Sequence, residues 1–404
     1  MMSFRRIAEF FGLKRSIIAL LGMVILVGMG ERMGERFLPI YLMALGGGEL
    51  TIGLLGWLQN QVGAIYSFGG GYLSDRLGFK RALLAFNLLA MMGYVLVILI
   101  PSVWAVIAGA FFFLTWSAIS LPATMSLVAR ALPRTKRTMG VTMHSLIRRI
   151  PMALGPLIGG LFIDTWGERT GVRLAFLVAL AMAIVAAAMQ QVMIRDEGLT
   201  VPASTRTAEG NPLRLFRLMS PALRNLLTAD TLIRFCEQIP YAFVVVWCMK
   251  IISSPVNAFR FGVLTTVEMA TAVLVYVPVA YFADKTQKKP FVVITFLNFT
   301  LFPLVLIFCH SFWPLILAFI LRGLKEFGEP TRKALIMDLA PVDREAGMFG
   351  LYYLIRDTVV SLAAFGGAAL WMISPTANLL TAFGFGVVGT AWFAWRGKDV
   401  AAES

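Results

Sequence analysis

A chain of 404 residues that is 58% hydrophobic, 14% charged and +14 in formal net charge is not composed like a soluble domain, which is usually about 45–50% apolar and about 25% charged. Mean hydropathy is +0.78, and long apolar runs recur from end to end. The expectation is an all-α integral membrane protein, not a β-barrel, whose runs are short and alternating, and not a nucleic-acid binder, because the basic residues cluster between apolar runs as orientation charges do.

In chain order, the basic, amphipathic start "MMSFRRIAEFFGLKR" leads into an apolar run too long for a cleavable signal. It reads as the first spanning helix. About 20 predominantly apolar residues cross a bilayer, and twelve candidates follow, near 16–45, 51–73, 81–101, 103–129, 138–163, 172–194, 223–250, 260–283, 289–309, 312–339, 345–372 and 376–395. Arginine and lysine concentrate before the first span and after the second, fourth, sixth, eighth and twelfth. "GGGELT", "PSVW", "CHSFW" and "SPTAN" on the other side carry none. The basic side is cytoplasmic, so both termini are expected there, in a multi-pass inner (plasma) membrane protein. Three cysteines, Cys236, Cys248 and Cys309, lie in or beside apolar runs with no metal or disulfide spacing. No metal and no cofactor are expected.

The only long polar stretch, roughly 195–222, is rich in Pro, Ser, Thr and Gly and reads as a linker. It separates an N-terminal six-helix bundle, 1–194, from a C-terminal one, 223–404. The two repeat each other. "PATMSLVARALP" from Pro122 aligns with "PTRKALIMDLAP" from Pro330, and "LIRR" from Leu146 with "LIRD" from Leu354. "RMGE" from Arg32 aligns with "RFCE" from Arg234, and "GYLSDRLGFKR" from Gly71 with "AYFADKTQKKP" from Ala280. Parallel repeats of this kind belong to transporters whose site lies where the repeats meet.

"GYLSDRLGFKR" resembles the signature loop of the major facilitator superfamily, G-x-L-a-D-R-x-G-r-k. Gly71, Leu73, Asp75, Arg76, Gly78 and Lys80 match, and Phe79 replaces a basic residue. A degraded copy is Asp284, Lys285, Lys288 and Lys289, where the superfamily also keeps one. The resemblance covers the whole chain and implies twelve transmembrane helices in two pseudo-symmetric bundles. It also implies a cytoplasmic gating cluster at Gly71, Asp75, Arg76, Gly78, Lys80, Asp284 and Lys285. Substrate is not implied, because one fold hosts many functions. "GPLIGG", Gly155 to Gly160, resembles the end of a motif of proton-coupled exporters. Its Gly155, Pro156, Gly159 and Gly160 suit a bend and close packing in the fifth helix, so antiport and plain helix contact are both open. Such exporters usually carry an arginine in the fourth helix, near Leu114. Here it stands at the repeat-related Arg322 instead, which argues against the standard drug-exporter assignment.

Ionised groups inside a membrane mark function by default, at roughly 2.5–3.5 kcal/mol each at a helix centre. "GERMGERFLPIYL" places four in the first span: Glu31, Arg32, Glu35 and Arg36. The fifth has His144, Arg148 and Arg149, and the seventh Asp230, Arg234 and Glu237. The eighth has Glu268. The tenth has Arg322, Lys325, Glu326, Glu329, Arg332 and Lys333, and the eleventh Arg356 and Asp357. Spans three, six, nine and twelve carry essentially none. The resemblance gives the same division, with one, four, seven and ten lining the cavity and three, six, nine and twelve facing lipid.

The expected substrate and proton pathway is therefore Glu31, Arg32, Glu35, Arg36, His144, Arg148, Arg149, Asp230, Arg234, Glu237, Arg322, Lys325, Glu326 and Arg356. Arg32 and Glu35 are spaced to pair on one helix. Glu31 and Glu237 are the favoured proton carriers; structural ion pairing of all these groups is the competing reading. Arginines at repeated places suit a carboxylate or phosphate, with Trp57, Trp116, Tyr241 or Tyr352 covering an apolar part of the solute. The expectation is a proton-coupled, alternating-access transporter of a small, organic and anionic solute, with the proton as coupling ion, acting as a monomer in the lipid bilayer and without nucleic acid. The alternatives are a proton-driven multidrug exporter and, from another class, a membrane-embedded lipid-modifying enzyme or a sensor. The enzyme would need a catalytic constellation, and the two histidines, His144 and His310, sit in none.

Overall fold

The computed structural model describes residues 15–77, 79–114, 137–193, 212–283, 287–341 and 345–399. The described residues form helices and no strands. In order they are α1 (Arg15–Glu35), α2 (Leu38–Ala44), α3 (Glu49–Leu77), α4 (Phe79–Leu99), α5 (Val103–Leu114) and α6 (Arg137–Met193). Then come α7 (Pro212–Leu218), α8 (Pro221–Tyr241), α9 (Val244–Val246, continued by a π-helical turn, Trp247–Ile251), α10 (Ala258–Ala283) and α11 (Lys289–Ile307). The last are α12 (Phe312–Leu324), α13 (Glu329–Asp338), α14 (Glu345–Ile373) and α15 (Pro375–Arg396). This is an all-α membrane fold. In the lipid core only helices satisfy their own backbone groups segment by segment.

Among the described residues six helices are long and apolar enough to cross a membrane, or seven if a pair bent by 43° counts as one span. Of the twelve expected spans, three are interrupted within their length. The first breaks at Arg36–Phe37 between α1 and α2, the seventh at Ala242–Phe243 between α8 and α9, and the tenth at residues 325–328 between α12 and α13. Proline accounts for the positions. Pro39 and Pro330 open α2 and α13, and Pro240 closes α8. Proline has no N–H to give, and it disfavours helical geometry in the residue before it. The fifth and sixth expected spans, by contrast, join end to end as α6, interrupted at Gly167 (φ 80°, ψ 166°).

By internal contacts the chain divides into two units: Met1–Gly46 with Val62–Ser204, and Gly47–Gln61 with Thr205–Ser404. In the first, α6 packs along α1 and against α4. Glycine makes the first contact close. A Cβ at Gly155 would lie 2.6 Å from the Cβ of Arg32, and one at Gly159 only 2.0 Å from the carbonyl oxygen of Met33. Tyr94, Phe113 and Phe176 interlock with ring centroids 5.3 to 5.7 Å apart.

In the second unit α8 is central, packed by α14 and α15, with α11 against α15 and α10 against α12. Its core includes Leu226, Ile233, Phe296, Leu335, Tyr352 and Phe393. The first half of α3 belongs here. Trp57 packs on Phe365, Asn60 donates to the side chain of Gln238 at 3.1 Å, and Ser361 donates to Gln61 at 3.1 Å.

Candidate functional site: an alternating chain of buried charges

In the first unit the sequence-predicted charges gather on α1 and the facing part of α6. Glu31 and Glu35 are buried, and Arg32 pairs with Glu35 at 2.6 Å within one helical turn. Arg36 stands in the break that follows. Arg148 of α6 lies within electrostatic reach of Arg32, Glu31 and Arg149. Close packing of Gly155 and Gly159 against Arg32 and Met33 brings this part of α6 directly against α1. Helical geometry continues through Gly155, Pro156, Gly159 and Gly160, so "GPLIGG" serves this unit as a contact surface for α1.

The second unit is more explicit. Five basic and five acidic side chains form one alternating chain across α8, α10, α12, α13 and α14. Arg322 contacts Glu268 through its Nε at 3.3 Å. Glu268 is also reached by Lys325 Nζ at 3.4 Å. Lys325 bonds Glu237 at 2.8 Å, and the other oxygen of Glu237 accepts from Arg234 at 2.7 Å. Arg234 reaches Glu329 at 2.6 Å, and Glu329 accepts from Arg332 at 2.8 Å. Arg332 pairs with Asp230, whose Oδ2 also accepts from Arg356 at 3.2 Å and from the Tyr352 hydroxyl at 3.0 Å. Arg356 ends the chain on Asp357 at 2.7 Å.

Local sequence builds this order. Asp230, Arg234 and Glu237, at spacings of four and three, share one face of α8. Glu329 and Arg332 repeat the three-residue pairing in the first turn of α13. Lys325 at the end of α12 and Glu329 at the start of α13 both turn to α8. Aromatic rings close over the cations: Phe299 lies 5.0 Å from the Arg234 guanidinium and Tyr353 4.1 Å from that of Arg356. Arg332 and Asp230 are 1% exposed, while Asp357 is 31% exposed. The chain thus runs from a wet end at Asp357 to a dry end at Arg322 and Glu268. Burying a single charge is prohibitive, and alternation gives every charge in the array an opposite neighbour.

Of the predicted pathway residues, Asp230, Arg234, Glu237, Arg322, Lys325 and Arg356 come together here. Glu326 lies in the turn between α12 and α13. Glu268, Glu329, Arg332 and Asp357 were recognisable as intramembrane charges but were left out of the expected pathway, although Glu329 and Arg332 are its middle. The readable signal was "GEPTRK", in which a glycine and a proline bracket Glu329 at a helix start. Tyr241 packs 5.7 Å from the Arg322 guanidinium. The side chain of His144 and those of Gly71, Asp75 and Arg76 lie outside the described set, as do Gly78, Trp116, Asp284 and Lys285 altogether. Lys80 donates to the Gln191 carbonyl at 3.0 Å, tying α4 to the end of α6.

The model of the Major Facilitator Superfamily matches residues 17–259. Among curated proteins no sequence matches the chain. Its fold is similar to that of a POT family transporter in complex with 5-aminolevulinic acid, with a TM-score of 0.78, 15% identity, and 93% of this chain and 95% of that one covered. A peptide transporter POT in complex with sulfate gives 0.75 at 14% identity, covering 95% of each chain. The nucleoside transporter NupG gives 0.75 at 13% identity, covering 94% and 99%.

Proposed function

The chain belongs to the major facilitator superfamily, and from that premise we propose a proton-coupled, alternating-access carrier of a small organic anion, seated in the plasma membrane with both termini cytoplasmic. That it is a multi-pass membrane transporter and not an enzyme follows from the family itself. The observation that carries the finer reading is the uneven grip of the second unit's charge chain. Glu237 is held by two cations at 2.7 and 2.8 Å, the length of strong charge-assisted bonds. Glu268 is reached by its two at 3.3 and 3.4 Å. A proton on Glu237 would break two short charge-assisted bonds, whereas Arg322 and Lys325 stand further from Glu268. The proton role favoured for Glu237 from sequence therefore passes to Glu268 in this reading, with Glu31 as its counterpart in the first unit.

The rest is partner exchange. Each base between two acids can shift its weight from one to the other. Protonating Glu268 frees Lys325 for Glu237, which loosens Arg234 toward Glu329, and so on to Arg356. At the wet end an anionic solute competes with Asp357 and Asp230 for the Arg356 guanidinium, whose planar fork suits a carboxylate. Proton and solute thus act on opposite ends of one bistable array, the kind of element coupling requires. The solutes named with two similar structures, 5-aminolevulinic acid and a thioalcohol-conjugated peptide, are small organic molecules, which supports the size class.

The test is flux in proteoliposomes across a panel of organic anions and lipophilic cations. An imposed pH gradient is expected to drive accumulation of an anion. Glu268→Gln is expected to abolish gradient-driven uptake while keeping solute counterflow, and Arg356→Gln to abolish both. Transport of lipophilic cations alone, or uptake indifferent to Glu268, would overturn the reading.

A further inference from the structure

The first half of α3 lies in the groove between the α8–α9 junction and α14, and small residues set its depth. A Cβ at Gly56 would stand 3.1 Å from that of Ala364 and 3.9 Å from that of Ala242, and one at Gly53 only 2.6 Å from that of Ala368. Where α3 crosses, it brings polar side chains to its two neighbours. Asn60 donates to the Gly56 carbonyl at 2.9 Å and to Gln238 Oε1 of α8 at 3.1 Å. Gln61 is joined to the buried Ser361 of α14 at 3.1 Å, which leaves the far end of its amide open.

These bonds fix which way the amides point. Both N–H groups of Asn60 are spent, so its Oδ1 is the end left over. The oxygen of Gln238 is turned to Asn60, so its amino group is the end left over. Two facing amides can exchange two hydrogen bonds, and this pair makes one. Asn60 and Gln238 are half-buried. Neither Asn60 Oδ1 nor Gln238 Nε2 bonds a described residue, and neither is enclosed by protein. In a membrane span such an open group faces water or a solute, because hydrocarbon cannot satisfy it. Spacing ties the junction to the charge chain. Gln238 stands four residues beyond Arg234 on α8, and Ser361 four beyond Asp357 on α14, about 6 Å along the helix in each case.

We propose that this junction is a subsite for an amide group of the transported solute, whose N–H donates to Asn60 Oδ1 and whose carbonyl accepts from Gln238 Nε2. The inference rests on the anion-carrier reading above and narrows its solute to a carboxylate that also bears an acylamino group, with the carboxylate at Arg356 and the amide one helical turn on. An ester presents oxygen where the amide has N–H, which sets acceptor against acceptor at Asn60. Sites that hydrogen-bond a substrate N–H discriminate against the analogue lacking it.

The experiment is a thermal-unfolding titration of the detergent-purified protein with two matched pairs of probes. One is N-acetyl-β-alanine against 3-acetoxypropanoate, and the other is the neutral methyl ester of each. Within each pair the acylamino probe is expected to bind about tenfold more tightly than its acetoxy partner. Gln238→Met keeps the side-chain length and removes the amide, and should bring the members of each pair together. The ratio is read first on the unaltered protein, so a variant that fails to fold leaves the test intact. Equal binding within the pairs, binding of none of the four probes, or a Gln238→Met protein that keeps the ratio would overturn the subsite. Charged probes that bind no better than their neutral esters, with the ratio intact, would instead overturn the anion reading and leave the subsite standing.

Discussion

Asp230 is the residue on which the second unit turns. It is 1% exposed and faces Arg332, Arg356 and Tyr352, with Arg234 Nε at 3.7 Å. Removing one partner of a buried pair strands the other charge and costs about 3–5 kcal/mol. Asp230→Asn should lower unfolding stability in detergent by that order. Asp357→Asn should cost under about 1 kcal/mol, because its carboxylate is 31% exposed and solvent screens the pair. Equal losses in the two variants would refute the contrast between the buried Asp230 and the partly exposed Asp357. The sequence announced Asp230, Arg234 and Glu237 through their spacing on one helix. It could not announce their partners on α12, α13 and α14, which stand some 90 to 125 residues further on.

At the scale of elements, two sequence features set the architecture. Glycines let α6 lie on α1, and prolines divide the expected first, seventh and tenth spans. The glycine contact is tightest at Gly159, where an added methyl would lie 2.0 Å from the Met33 carbonyl oxygen. Gly159→Ala should therefore cost about 1–3 kcal/mol by overpacking, read as a lower Tm and weakened expression. Gly63→Ala is the control: nothing lies within 4 Å of an added Cβ there. It should be neutral or stabilising, since alanine suits a helix better by about 1 kcal/mol. The breaks have a consequence for the site. Lys325 and Glu329, on either side of the break at residues 325–328, both reach α8. Pro330 was visible in the sequence, but hydropathy, averaged over about 20 residues, runs smoothly through such a break.

At the scale of the whole molecule, the +14 charge is a matter of topology. Basic residues flank the spans on one side and are scarce on the other, so reporters fused to either terminus should both report the cytoplasm. A reporter active outside at either end would refute the orientation. The amino-acid sequence by itself determined the helical membrane class, the repeated halves and the superfamily, because hydropathy, loop charge and the "GYLSDRLGFKR" pattern are local properties that survive without folding. It also determined which residues are intramembrane charges. Only the tertiary structure decided how those charges pair. It made Glu329 and Arg332 the middle of the array, gave Glu237 two close cations and set Arg322 and Lys325 further from Glu268. The reason is physical: an ion pair depends on distances of a few ångströms between side chains on different helices, and those distances are set by packing and by where the helices break.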